Sequence, residues 1–193
     1  MEELEGLPVL HCADEAQWRA WLQAHDAAAS GVWLVFAKKG SGLTSPSYDE
    51  AVDEALCSGW VDGKKQKRDA QTYVLRFTPR RPRSAWSQVN VAKVDRLAQE
   101  GRMRPTGLAA VEAARANGQW DRAYAPPSTM TVPDDLRAAL DASPRAAEAF
   151  AGLDSRNRYA VLHRVQDAKR AETRARRVET YVAMLAEGGR PYP

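Results

Sequence analysis

Apolar and polar positions follow distinct rhythms along this chain, and each rhythm predicts an element. Asp14-x-x-Gln17 has the form of a capping box, and Trp18, Trp21, Leu22 and His25 follow at helical spacing. They predict a helix that ends near Ala27, before Ser30-Gly31. The run VWLVFAKK (32–39) is nearly continuous in β-branched and aromatic residues, the composition of a buried strand. After the glycine- and serine-rich loop 40–47, Ser47-x-x-Glu50 opens a second helix with Tyr48, Val52, Ala55 and Leu56 inward. Gly59 closes it, since glycine takes the left-handed conformation past a helix end. Trp60 to Arg68 then extends, Asp69-Ala70-Gln71 turns, and Thr72 to Thr78 returns. The strand period of two puts Tyr73, Leu75 and Phe77 on one face and Thr72, Val74 and Arg76 on the other.

Beyond Arg83 the pattern is helical, with segments near 85–100, 106–117, 133–141, 144–152, 155–169 and 172–187. Gly101 and Gly118 follow the first two, and Pro133 and Pro144 suit first-turn positions. Asp134 and Asp135 stand where the helix dipole favours acids. Val178, Tyr181, Val182 and Leu185 make an i, i+3, i+4, i+7 stripe in the last segment. The expected fold class is α+β. A small antiparallel-type sheet of about three strands carries two covering helices, and a mostly helical C-terminal half follows. The expected organisation is an α+β domain over 1–118, a linker over 119–132 centred on Pro126-Pro127, and a helical domain over 133–193.

Composition narrows the class without naming a function. With 193 residues, 44% hydrophobic and 27% charged, the chain can bury a sizeable core and is not disordered. Its net charge of +3 hides a strong asymmetry. Residues 1–59 hold ten acids and three bases, whereas residues 60–104 hold four acids and twelve bases. No apolar run reaches the length of a bilayer span, and MEELEG has no signal-peptide layout. Cys12 and Cys57 lie far apart without metal-ligand spacing, and His11, His25 and His163 are isolated from one another. A cytoplasmic protein with buried thiols, no metal and no cofactor is the expectation.

Candidate chemistry concentrates in RFTPRRPRSAWSQVN (76–90), which sets Arg76, Arg80, Arg81, Arg83 and Trp86 around two prolines. Proline restricts the backbone, and each guanidinium offers a planar fork of donors suited to phosphate or carboxylate. With Lys38 and Lys64 these residues form the expected ligand-binding set for an anionic small molecule or an acidic protein surface. Trp86 and Tyr73 are candidates to stack on a ring, or to serve in the core. Asp62, between Gly59 and Gly63, is the weak catalytic candidate, aimed as an acid or base or else simply pairing with a neighbouring cation. Cys57 has no histidine near in sequence and falls on the inward side of its helix. Lys38-Lys39-Gly40-Ser41-Gly42 lacks phosphate-loop spacing. The basic run Lys169–Arg177 can line Arg170, Arg174 and Arg177 along one helix face, solvated or as a second contact for an acidic partner.

Several strings together resemble the YdeI/OmpD-associated, or bacteriocin-protection, family. They are GVWLVFAKKGSG (31–42), YDEAVDEALCSGWVDG (48–63), RFTPRRPRSAWSQVN, RMRPTGLAAVEAA (102–114) and RNRY…AKRAETRARRVE (156–179). The resemblance implies a link to protection from antimicrobial proteins or envelope stress and carries over no catalytic residue. Proline is common in that family where Ala171 stands, which leaves open whether the last two helices are separate. Two function classes follow: a non-enzymatic cytosolic resistance factor that recognises an anion through the basic turn, or an enzyme acting on a phosphorylated or carboxylated small molecule. Nucleic acid is a further possible partner, to be recognised by steep salt dependence.

Overall fold

The computed structural model describes residues 2–193. They form two compact units, one running to Ala123 and the other Tyr124–Pro193. In the first, strands β1 (Glu3–Leu4) and β2 (Leu7–Leu10) precede helix α1 (Glu15–His25), strand β3 (Val32–Ala37) and helix α2 (Tyr48–Cys57). The hairpin β4 (Trp60–Lys67) and β5 (Thr72–Pro79) comes next, then helices α3 (Gln88–Gln99) and α4 (Pro105–Ala116). The sheet order is β1-β2-β3-β5-β4, with β2 and β3 parallel and the other neighbours antiparallel. It is therefore five-stranded and mixed, where about three antiparallel strands were expected.

The two missed strands have a physical explanation. Four and two residues are too short to show a period, and their turn is Glu5-Gly6, with φ of 50° and 74°. Two left-handed residues make the tight hairpin turn that asparagine-glycine usually supplies, so a glutamate there gives no signal. Glu5 holds this disfavoured conformation while its carboxylate accepts bonds from Lys64 (2.5 Å) and Gln66 (2.8 Å). The parallel pairing, Val9 to Trp33 and Leu10 to Leu34, rests on α1 acting as the crossover between β2 and β3.

Both faces of the sheet are buried. Leu34, Phe36, Leu75, Phe77 and Trp60 face a core shared with Trp18 and Leu22 of α1 and Leu56 of α2. Val94 and Leu97 of α3 and Val111 and Ala114 of α4 complete it, so four helices cover this face and not two. Val9, Trp33, Val35 and Val74 form a smaller cluster on the other face. Val74 is thus buried as well as Leu75 and Phe77, because both faces of the sheet are covered, and Thr72 is buried with its hydroxyl donating to Asp69 (2.7 Å). The Ser47–Glu50 capping box forms in full. Asp14 caps α1 by accepting from Gln17 N, but the Gln17 side chain accepts from Ala13 N (2.9 Å) and not from Asp14 N, so the expected reciprocal box is not made. The third helix starts at Gln88, capped by Ser87, later than the expected 85.

The second unit is built from α5 (Asp134–Asp141), α6 (Pro144–Ala151), α7 (Ser155–Gln166) and α8 (Ala171–Ala186). Leu136, Phe150, Val161, Val165, Val178, Tyr181 and Leu185 close its core. The last two helices are separate, with Ala171 opening α8.

Candidate functional site

The turn between β5 and α3 is pinned from several directions. Arg80 N donates to Gly59 O (2.9 Å), fastening the end of the hairpin to the end of α2. Arg81 N donates to Ser84 Oγ (3.0 Å) and Ser84 N to Arg81 O (2.9 Å), closing a tight loop around Pro82. Asn117 Nδ2, just past α4, donates to Pro82 O. The Arg80 guanidinium lies over the Trp86 ring, with Cζ 3.6 Å from its centroid, and donates through Nη1 to Ala85 O (3.2 Å). Trp86 itself is buried and meets Trp120 at 4.9 Å between ring centroids. It serves as core and as the platform for Arg80 at once.

Between this loop and α4 lies a cavity of about 320 Å³, at the small end of the range for ligand sites. Arg80, Arg81 and Trp86 form one wall, and the short side chains Ala109, Ala110 and Ala113 of α4 form another. Asp26, Ser58 and Thr106 stand at its polar end. Asp26 Oδ2 already accepts from Thr106 Oγ1 (2.9 Å) and pairs with Arg104 Nη2 (3.3 Å). Arg104 Nη1 also donates to Ser58 Oγ (3.1 Å). That acid is therefore matched within the fold and does not oppose an incoming anion. α4 can approach this closely because Gly107 packs on Cys57, where a Cβ would stand 2.2 Å from the carbonyl oxygen. Gly59, at φ 75°, meets Thr106 O in the same way.

The basic set does not converge on one place. Arg83 is exposed and does not line the cavity, and among the described residues no ion pair holds Arg81 or Arg83. Arg76 sits on β5 opposite Trp33, and its charge helps hold the Glu5 carboxyl below the usual range, after the larger effects of hydrogen bonds from Lys64 and Gln66. Lys64 is paired with Glu5. Lys38 Nζ donates to Asp69 O (2.6 Å) and Ala70 O (3.2 Å), which places it at the far end of the hairpin. Asp62 accepts from Tyr48 Oη (2.9 Å) and does not line the cavity. Arg80, Arg81 and Trp86 are thus brought together, and Lys38, Lys64, Arg76, Arg83 and Asp62 are not.

Other candidates are accounted for by internal bonds. Lys65 lies 4.0 Å over Tyr73, and Arg68 pairs with Glu2 at 2.8 Å. In the basic run of α8, Arg174 makes two bonds to Asp135 (2.5 and 2.8 Å), and Arg177 donates to Arg164 O while facing Asp167. Cys12 and Cys57 are buried free thiols, and burial pushes each up to about 11, where thiolate chemistry at neutral pH is suppressed. Among the described residues, no group of three histidine, cysteine, aspartate or glutamate side chains could hold a metal. No helix among them is long and apolar enough to cross a membrane.

Sequence reasoning missed Asp26, Ser58, Thr106 and the alanine face of α4. Asp26 is 80 residues from Thr106 along the chain, and an alanine face on a helix is ordinary in composition.

Comparison with known families divides the chain at the same place as its packing. Residues 10–110, just over half of the chain, match a family model described as a domain of unknown function, DUF8412. Residues 129–188 match one described as bacteriocin-protection, YdeI or OmpD-associated. The chain belongs to the DUF8412 family, and a segment of its second unit is similar to the YdeI/OmpD-associated family. No curated protein and no solved structure matches it. The cavity and its arginines fall within the first unit, and the strings at 156–179 that resemble the YdeI/OmpD-associated family fall within the second.

Proposed function

We propose that this protein is a binding protein of the cytoplasm that takes a small anion, a carboxylate or phosphate with an apolar body, between the Arg80–Trp86 loop and α4. The observation that carries this reading is Arg80 stacked on Trp86 beside Arg81 on the wall of one cavity, with the acid at the other end already paired. Arg80 is oriented by the ring and Ala85 O, so its position costs little further ordering on binding. Arg81 projects from a loop braced by Ser84 and by proline geometry. The alanine wall would receive the apolar part. A role in bacteriocin protection is what the description of the second unit's family contributes. Ligand recognition by the first unit would be the chemical step such a role requires.

The acid–base reading for Asp62 would need that carboxylate at the cavity wall, where it does not stand. Titration calorimetry with inorganic phosphate and with benzoate tests the proposal. Arg81→Glu is expected to weaken binding of either probe by at least about tenfold, equivalent to ~1.4 kcal/mol, without lowering the melting temperature. Unchanged affinity in that variant would remove the site. Binding to a DNA oligonucleotide that collapses as salt rises would instead move the loop to a nucleic-acid role.

A further inference from the structure

The second unit contains a cluster of cations and aromatic rings that nothing above uses. On α7, residues 156, 160 and 164 fall one turn apart, as do 159 and 163, so all five share one side of the helix. The small Ala160 between Arg156 and Arg164 leaves a gap that their longer side chains flank. Tyr192 is held against this side because its backbone N–H donates to Oδ1 of the buried Asn157 (2.8 Å), between two prolines. Its ring receives both guanidiniums, with Arg156 Cζ at 4.3 Å and Arg164 Cζ at 5.4 Å from the centroid. Arg164 is aimed by two phenols, donating to Tyr181 Oη (3.0 Å) and Tyr192 Oη (3.1 Å). His163 stands beside them, 5.3 Å from the Tyr159 ring and edge-on to Tyr124 at 5.0 Å.

Arg156, Tyr159, Ala160, His163, Arg164 and Tyr192 border a cavity of about 490 Å³, and no carboxylate among the described residues lines it. Two guanidiniums against one ring repel each other, and among the described residues no ion pair offsets either charge. Elsewhere in the unit arginines meet acids, as Arg174 meets Asp135. From this unbalanced charge beside exposed ring faces, we infer that the α7–Tyr192 cavity is a binding site for a planar aromatic anion, a ring carrying carboxylate or phosphate. The anionic group sits between Arg156 and Arg164, where the guanidinium forks can bond it and their mutual repulsion is relieved. The ring lies against Tyr159 and His163 by offset or edge contact. This site is independent of the Arg81 cavity, and either can fail without the other.

The test uses the full chain and follows the imidazole resonances of His163, one of three histidines, by NMR. Phenyl phosphate and benzoate are the probes, with phenol and inorganic phosphate as the ring-only and charge-only controls. At least one aromatic anion is expected to shift His163 saturably and to bind about tenfold or more tighter than either control. Which of the two binds tighter assigns phosphate or carboxylate. R156Q, which removes an exposed guanidinium stacked on the Tyr192 ring, is expected to weaken that anion by about tenfold, and R81E is expected to leave the His163 response unchanged. The inference is overturned if His163 does not respond to either aromatic anion, or if phenol or inorganic phosphate shifts His163 with the same affinity as the aromatic anions. It is equally overturned if R156Q binds like the wild type. The probe and control comparison stands on the wild-type protein alone, so a poorly folding variant would not shelter the idea.

Discussion

Single residues in this protein are constrained most where backbones touch. Gly107 and Gly59 let α4 lie directly on the end of α2, with carbonyl oxygens at distances no Cβ tolerates, 2.2 and 2.6 Å. Gly107→Ala is therefore expected to destabilise the first unit by about 1–3 kcal/mol through overpacking, read as a lowered midpoint in urea. Gly40→Ala, at φ 81° but with no neighbour within 4 Å, is the matched control, with a smaller loss that comes from backbone strain alone. Arginines divide by the same local logic. Those beside acids, such as Arg68, Arg102 and Arg174, are structural, and Arg81 is left to solvent and the cavity. No count of basic residues in 64–83 could make that division, because partners such as Glu5 and Glu2 stand 59 and 66 residues away from the bases they meet.

Elements are joined by buried charge as well as by apolar packing. Glu54, on the inward side of α2, accepts from Arg19 of α1 (2.9 Å) and from Arg102 in the α3–α4 loop (2.5 Å), while Glu15 of α1 bonds the same two arginines. Its side chain is only 4% exposed, so removing its charge leaves two guanidiniums facing a site shaped for a carboxylate. Glu54→Gln is expected to cost about 3 kcal/mol, measured by chemical denaturation, because breaking a buried pair from one side forfeits more than the pair contributes. One step further out, Asp53 receives Lys93 (2.7 Å) and Arg96 from α3. Helix starts behave more locally. Ser47→Ala, which removes the acceptor for Glu50 N and breaks the capping box, is expected to lower stability by about 1 kcal/mol in the same assay.

Across the whole molecule the charge asymmetry of the sequence is largely cancelled by folding in the first unit, where acids from residues 2–54 meet bases from residues 64–104. This predicts acid lability with a defined sign. Burial alone would raise the Asp53 and Glu54 carboxyls, but hydrogen bonds from Lys93 and Arg96, and from Arg19 and Arg102, outweigh it and hold both below their ordinary values of 3.8 and 4.5. A carboxyl depressed in the folded state stabilises fully above its unfolded value and loses that contribution as the pH falls through its folded one. Thermal melts are thus expected to be insensitive to these groups near neutrality and to fall steeply once the pH drops below about 4, and a flat profile to pH 3 would contradict the network. The helices among the described residues, the β4–β5 hairpin, the long β3 strand and the kinship of the second unit were determined by the sequence alone, since capping residues, periodicity and multi-residue strings act over a few positions. Strands β1 and β2, the parallel pairing and the separation of the basic residues were decided only by tertiary structure. Each depends on a partner distant in sequence: β3 for β2, Glu5 for Lys64, and α4 for the loop that carries Arg80 and Arg81. Local pattern specifies what a segment can become, and long-range contact specifies which of its side chains remain available to a ligand.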